Sequence, residues 1–243
     1  MKNHETVRPM TDGQRDDLAK TAFEAVPPEM SFGDADAVLA NKGPLVAELR
    51  SVYEKYMPSS LANRQLEAWR KIYRDHFGIE LGPVVIPTHR KGFDRLIVVA
   101  QGLTIQRAYD VCKTLFPCWK STDRDLDEAI PTNDRMPTKG AYAIWVRDRI
   151  EADEELKNLS ANDLADQGIV SETVLECELH EIVYFLGMGK HLDIKNITLT
   201  AGSRSDDGSV PGACWLGGEF RVLVDWFGPG FAGGALRGRQ VVS

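Results

Sequence analysis

The segment ACWL-GG-EFRVLVDWF, residues 213–227, most tightly limits what this chain can fold into. It holds two strand-like runs joined at Gly217-Gly218. Paired glycines supply the positive φ angles of a tight hairpin turn at little steric cost. Alternation places Phe220, Val222, Val224 and Trp226 on one face of the second strand, and Glu219, Arg221 and Asp225 on the other. The ribbon is expected to close a single compact unit of sheet and helices.

The segments before it supply that unit. Residues 94–100 (DRLIVVA) and 141–148 (AYAIWVRD) read as strands, the first rich in β-branched residues and the second alternating. Gly102 turns the chain, and Thr104 caps a helix with Ile105, Ala108, Cys112 and Leu115 on one stripe until Pro117 breaks it. A short strand at residues 118–120 leads into a polar excursion. Ser160 and Asp163 form a loose capping box, and a strong helix begins at Ser171 with glutamates in its first turn, where the helix dipole favours them. NITLTAG follows as a strand. The pattern predicts an α+β fold with a mixed or mostly antiparallel sheet, packed helices and a C-terminal β-hairpin.

The first third has a different grammar. Residues 13–26 read as a helix stopped by Pro27-Pro28, and Pro44 suits the first turn of another that aligns Leu45, Leu49, Val52, Tyr53 and Tyr56. Pro58 and the serines after it begin a third, in which Leu66, Trp69, Tyr73 and Phe77 recur on one side and Gly78 is the stop. Short amphipathic helices cannot bury their stripes alone. The expected division is a helical region at residues 1–82 and an α+β module at 83–243.

With 243 residues, 43% of them hydrophobic, the chain can build a core without disulfide or metal staples. Four cysteines are too few for a disulfide scaffold and fit reduced thiols in a cytoplasmic protein. The first residues carry no apolar leader, and the longest apolar run is far short of a membrane span, so no membrane role is expected. Residues 122–181 hold 16 Asp and Glu against 6 Lys and Arg, so a net charge of −10 there exceeds the −7 of the whole chain. That segment is expected to be a solvated acidic surface or a face for a basic partner. Acidity also argues against nucleic acid, which is bound by displacing counterions with basic side chains.

Gly228, Gly230 and Gly233 have the spacing of a dinucleotide-phosphate loop. Only ten residues follow Gly233, too few for the helix, returning strand and acidic residue such a site requires. A flexible tail is the expectation, in which Arg237 and Arg239 could meet an anion. Cys177 and His180 share a helix face and, with His191 and Cys214, could make a Cys2His2 zinc site. The 22 residues between the second pair argue for core cysteine and half-buried histidine instead, and no metal or cofactor is assigned. Asp206 and Asp207 offer oxygen ligands in a loop that turn chemistry explains equally well. No nucleophile elbow, phosphate loop or zincin motif occurs, and none of His76, His89, His180 and His191 is singled out by spacing.

From about Arg95 the stretches LIVVAQGLT, GAYAIWVRDRIEADEELKNLSA, GKHLDIKNITLTAGSR, DGSVP and LRGRQVVS resemble a family of uncharacterised proteins from environmental bacterial genomes. The resemblance implies that residues 95–243 behave as one module, and it lends no residue a catalytic role. The leading expectation is a binding module without catalytic activity. A protein partner would meet its aromatic hairpin of Trp215, Phe220, Trp226 and Phe227. The rival is an enzyme acting on a small anionic or phosphorylated substrate. Arg147, Arg149, Arg204 and Arg221 would clamp the anion, with Asp206 or Asp207 as base or metal ligand.

Overall fold

The structure is a computed structural model and describes residues 11–56 and 58–243. The expectation that the chain opens without a leader falls mostly outside those residues. The chain forms two compact units, Met1–Tyr56 and Met57–Ser243.

The first unit holds three helices, α1 (Asp12–Glu24), α2 (Phe32–Ala40) and α3 (Lys42–Tyr56). Thr11 with Gln14, and Ser31 with Asp34, form reciprocal capping boxes that satisfy backbone donors at the starts of α1 and α2. The sequence reading had no element at α2. The Tyr53 hydroxyl donates to the Leu18 carbonyl at 3.2 Å. None of the described side chains of this unit is buried. The Tyr56 side chain lies outside the described ones.

The second unit runs α4 (Pro58–Ile72), β1 (Arg95–Val99), α5 (Ile105–Leu115), β2 (Cys118–Lys120), α6 (Leu126–Ala129), β3 (Thr132–Asn133) and β4 (Tyr142–Val146). It continues through α7 (Ala161–Asp166), α8 (Val174–Met188), β5 (Ile197–Leu199), β6 (Ser203–Arg204), β7 (Val210–Leu216), β8 (Arg221–Phe227) and β9 (Leu236–Arg237). The fold is α+β. A mixed five-stranded sheet has the order β2-β8-β7-β5-β9, with β2 parallel to β8 and β9 parallel to β5. A separate ribbon pairs β1 with β4 antiparallel, and β3 pairs with β6.

Helix α4 belongs with this unit, so the compact units divide at residue 56 where the sequence pattern suggested 82. Its side chains complete the open edge of β1. The Gln65 amide accepts from the Leu96 N–H at 2.8 Å. The Trp69 indole donates to the Leu96 carbonyl at 2.8 Å, and the Tyr73 hydroxyl donates to Val98 O at 2.7 Å. A strand edge left open is a template for unwanted pairing, and this helix closes it side chain by side chain. After Ile72 the helix widens into a π-turn over Tyr73–Phe77 and stops at Gly78, whose φ of 63° is left-handed.

Helix α8 is the centre of the core, with ten of its fifteen residues buried. Its N-cap is Thr173 rather than Ser171. Ser171 instead bridges to Gln240.

Two expectations for the C-terminal end are corrected. The β7–β8 hairpin is present, but the turn spans residues 217–220 and its positive φ, 53°, falls on Phe220. Phe220 is 72% exposed and does not share the buried face of Val222 and Val224. Nor is the tail loose. Gln240 bridges to Ser171, Val242 exchanges backbone hydrogen bonds with Trp145 at 2.9 Å, and Arg239 is 2% exposed. Close approach requires Gly238, where a β-carbon would meet Leu164 at 2.9 Å.

Candidate functional site

The residues singled out as anion clamps fall into three groups with separate partners. Arg147 and Arg149, just past β4, both reach Asp153, and Arg149 forms a forked pair with Glu155 at 2.6 and 2.9 Å. Arg204 turns back onto the carbonyls of Ala201 and Ser203. In the same turn Asp206 pairs with Arg124 at 2.7 Å, while Asp207 accepts from Ser205 Oγ and the Ser209 N–H. Those two bonds hold the Asp207 carboxyl down at about 2. Arg221 pairs with Glu219 and lies over the Trp119 ring, 5.0 Å from its centroid. Trp215 stacks on His191 at 3.6 Å. Each cation has a neighbouring acceptor, and the groups share none.

Of the four possible zinc ligands, the two histidines go to different carboxylates. His180 Nδ1 sits 2.9 Å from Glu172, and His191 Nδ1 sits 2.6 Å from Glu181. Among the described residues no three His, Cys, Asp or Glu side chains are grouped to hold a metal ion.

The acidic middle of the chain is not simply a solvated face. Asp153, Glu172, Glu176, Glu178 and Glu181 are all buried, the last three because α8 passes through the core. Most are satisfied. Glu176 closes the capping box with Thr173, takes a forked pair from Arg135 with both bonds at 2.7 Å, and accepts from the Tyr142 hydroxyl at 2.9 Å. Arg239, from the tail, donates to Asp193 at 2.7 Å, to Thr198 at 2.9 Å and to the carbonyls of Arg149 and Ile150. The anion that the sequence left open for Arg239 is thus an internal carboxylate.

The Glu172–His180 pair is different. Burial dominates both, raising the Glu172 carboxyl to about 8 and lowering the His180 imidazole to about 3. Glu172 Oε2 and His180 Nε2 have no partner. The pair is therefore carried uncharged at neutral pH.

Deeper in the core lies a cavity of about 20 Å³ lined by all four cysteines, Cys112, Cys118, Cys177 and Cys214, together with Glu178 and Tyr109. Both Glu178 carboxyl oxygens are buried without a partner, and burial pushes this acid well above the usual carboxylate range. No spacing rule reveals this cluster, because the thiols come from α5, β2, α8 and β7 and meet only through packing.

On the surface, the aromatic hairpin is mostly packed. Trp215 and Trp226 lean on the main core and Phe227 on a smaller cluster under α7, which leaves Phe220 exposed beside Arg221. The larger apolar display is in the first unit, where Phe23 is 76%, Phe32 84% and Leu39 67% exposed. No helix among the described residues is long and apolar enough to cross a membrane. No protein-family model, curated protein or solved structure matches the chain.

Proposed function

We propose that this protein is a binding module whose N-terminal helices complete their packing on a protein partner. One observation carries the reading: α1, α2 and α3 bury none of their described side chains, while Phe23, Phe32 and Leu39 stand in water. Helices of 9 to 15 residues are marginal on their own, and a cluster of exposed large apolar groups marks an interaction surface. Charge favours a protein over the other polymers. Residues 11–56 carry nine Asp and Glu against five Lys and Arg, the wrong sign for an anionic bilayer or a phosphate backbone. The matching surface is an apolar groove with a basic rim.

Affinity capture with the intact chain and with F32S/L39S tests the reading. The expected result is a protein retained by the natural sequence and lost with the variant, with the thermal unfolding of both chains superimposable. Capture of the same proteins by both chains would contradict it.

A further inference from the structure

A cavity of about 380 Å³ opens within the larger unit between α4, the π-turn that follows it, and the last turns of α8. Ile72, Val183 and Leu186 supply apolar lining, and Ile72 and Val183 are themselves packed into the core. Lys71, Asp75, His76 and Arg95 supply the polar groups. The volume lies in the range, roughly 300–1,000 Å³, that takes a whole organic molecule, and an apolar wall with a few convergent polar groups is the usual make-up of such a site. Asp75 and His76 stand on the π-turn at Tyr73–Phe77, and such turns are rare and concentrate at functional sites.

A second observation concerns Gly187, which lines the same cavity from the last turn of α8. Glycine is unfavourable in a helix relative to alanine, because it loses more backbone freedom on folding. It is usually kept where a β-carbon would collide or where the backbone turns left-handed. Neither reason holds here. Gly187 continues the helix, the left-handed stop is Gly189, and a β-carbon at Gly187 would meet nothing within 4 Å. What the missing side chain does leave is open volume in the cavity.

Charge says what kind of guest the cavity suits. In its lining Lys71 and Arg95 are positive and Asp75 negative, an excess of one positive charge in a chain whose net charge is −7. Lys71 pairs with Asp75 along the helix. Arg95 reaches Asp148 through Nε and Nη2, both on the same carboxylate oxygen, at 3.1 and 2.8 Å. Nη1 takes no part in that fork, and Asp148 is 49% exposed, where an ion pair contributes little. A guanidinium held this way can take a second carboxylate, which it matches in both charge and geometry. We propose that this cavity binds a small apolar carboxylic acid as its anion, with the carboxylate on Arg95 and the apolar body against Ile72, Val183 and Leu186, in the space that Gly187 leaves. The site lies wholly in the larger unit and does not depend on the N-terminal helices.

Calorimetric titration of the full-length protein with cinnamate and octanoate, and with their neutral amides, tests the assignment. The expected result is one site per chain for at least one of the acids, with its amide bound at least about tenfold more weakly. R95M should bring the acid down to the affinity of the amide. G187L puts a good helix former where the structure has room for it, so it should abolish binding while its thermal unfolding midpoint equals or exceeds that of the natural chain. A folding defect cannot imitate that combination. Acid and amide bound alike, acid binding undiminished in R95M or G187L, loss of binding in G187L only with a fall in its midpoint, or neither acid bound at up to about 10 mM would overturn the proposal.

Discussion

The two units of this chain treat apolar side chains in opposite ways. In Met57–Ser243, Trp69, Leu96, Ile144 and Trp145 are fully buried, and even the polar groups of α8 are enclosed and mostly paired. In the helices at residues 12–56 the caps are well formed but nothing described is enclosed. Local capping therefore sets where a helix starts, while long-range burial decides whether it holds. Caps contribute about 1 kcal/mol each, and a buried aromatic contributes several times that.

The largest effect expected from that contrast is at Trp69. W69A removes a fully buried ring and the indole donor to Leu96, and should cost about 3–5 kcal/mol in denaturant unfolding, while F32A should change stability by less than about 0.5 kcal/mol. Equal losses would break the contrast. Next comes R239A, which strands Asp193 in the core without its guanidinium and should cost about 3 kcal/mol or more by the same measurement. A cost near zero would return the tail to a loose appendage.

The pH profile sharpens the description of the buried half. Glu172 holds its proton in the fold up to about 8 but loses it near 4.5 when unfolded, so the native state binds more protons between those values and stability falls as pH rises. His180 behaves oppositely. It stays neutral in the fold down to about 3 and protonates near 6.5 when unfolded, so its contribution to stability is lost as pH falls below 6.5. The two slopes offset each other between 4.5 and 6.5, leaving a decline from 6.5 to 8 of at most about 1.4 kcal/mol per pH unit from Glu172. Chemical denaturation at stepped pH should show E172Q flatter than the natural chain over that range. An unchanged slope in the variant would contradict the assignment.

The smallest effect is at Phe220, the one exposed aromatic of the hairpin turn with a left-handed backbone. F220G relieves that conformation and should raise stability by up to about 1 kcal/mol. A loss of stability on this change would mean that the ring packs in solution.

Much of the second unit was legible because its signals are local. Thr104 caps α5, Ser160 and Asp163 form the predicted capping box, and the alternation at residues 142–146 is β4. What failed was set by the register of the hairpin and by contacts distant in sequence. Gly217-Gly218 suggested a two-residue turn, but the β7–β8 register runs Leu216 against Arg221 and hands the left-handed position to Phe220. The glycines near the end suggested looseness, whereas the packing of Gly238 and the internal carboxylate for Arg239 pin the tail. Glutamates in α8 looked like dipole partners on a wet face, since their burial follows from where the helix lies. The arginines chosen as clamps were real surface features with partners of their own. The thiol cavity could not be seen at all, because four spacings in sequence say nothing of a shared point in space.

Hydrogen exchange on the intact chain tests the contrast most directly. The account predicts that amides of α1, α2 and α3 exchange nearly as fast as in an unstructured peptide, while those of β1, β4 and α8 are slower by on the order of 1,000-fold or more. Comparable protection in both units would contradict it, and would show that the N-terminal helices hold together without a partner.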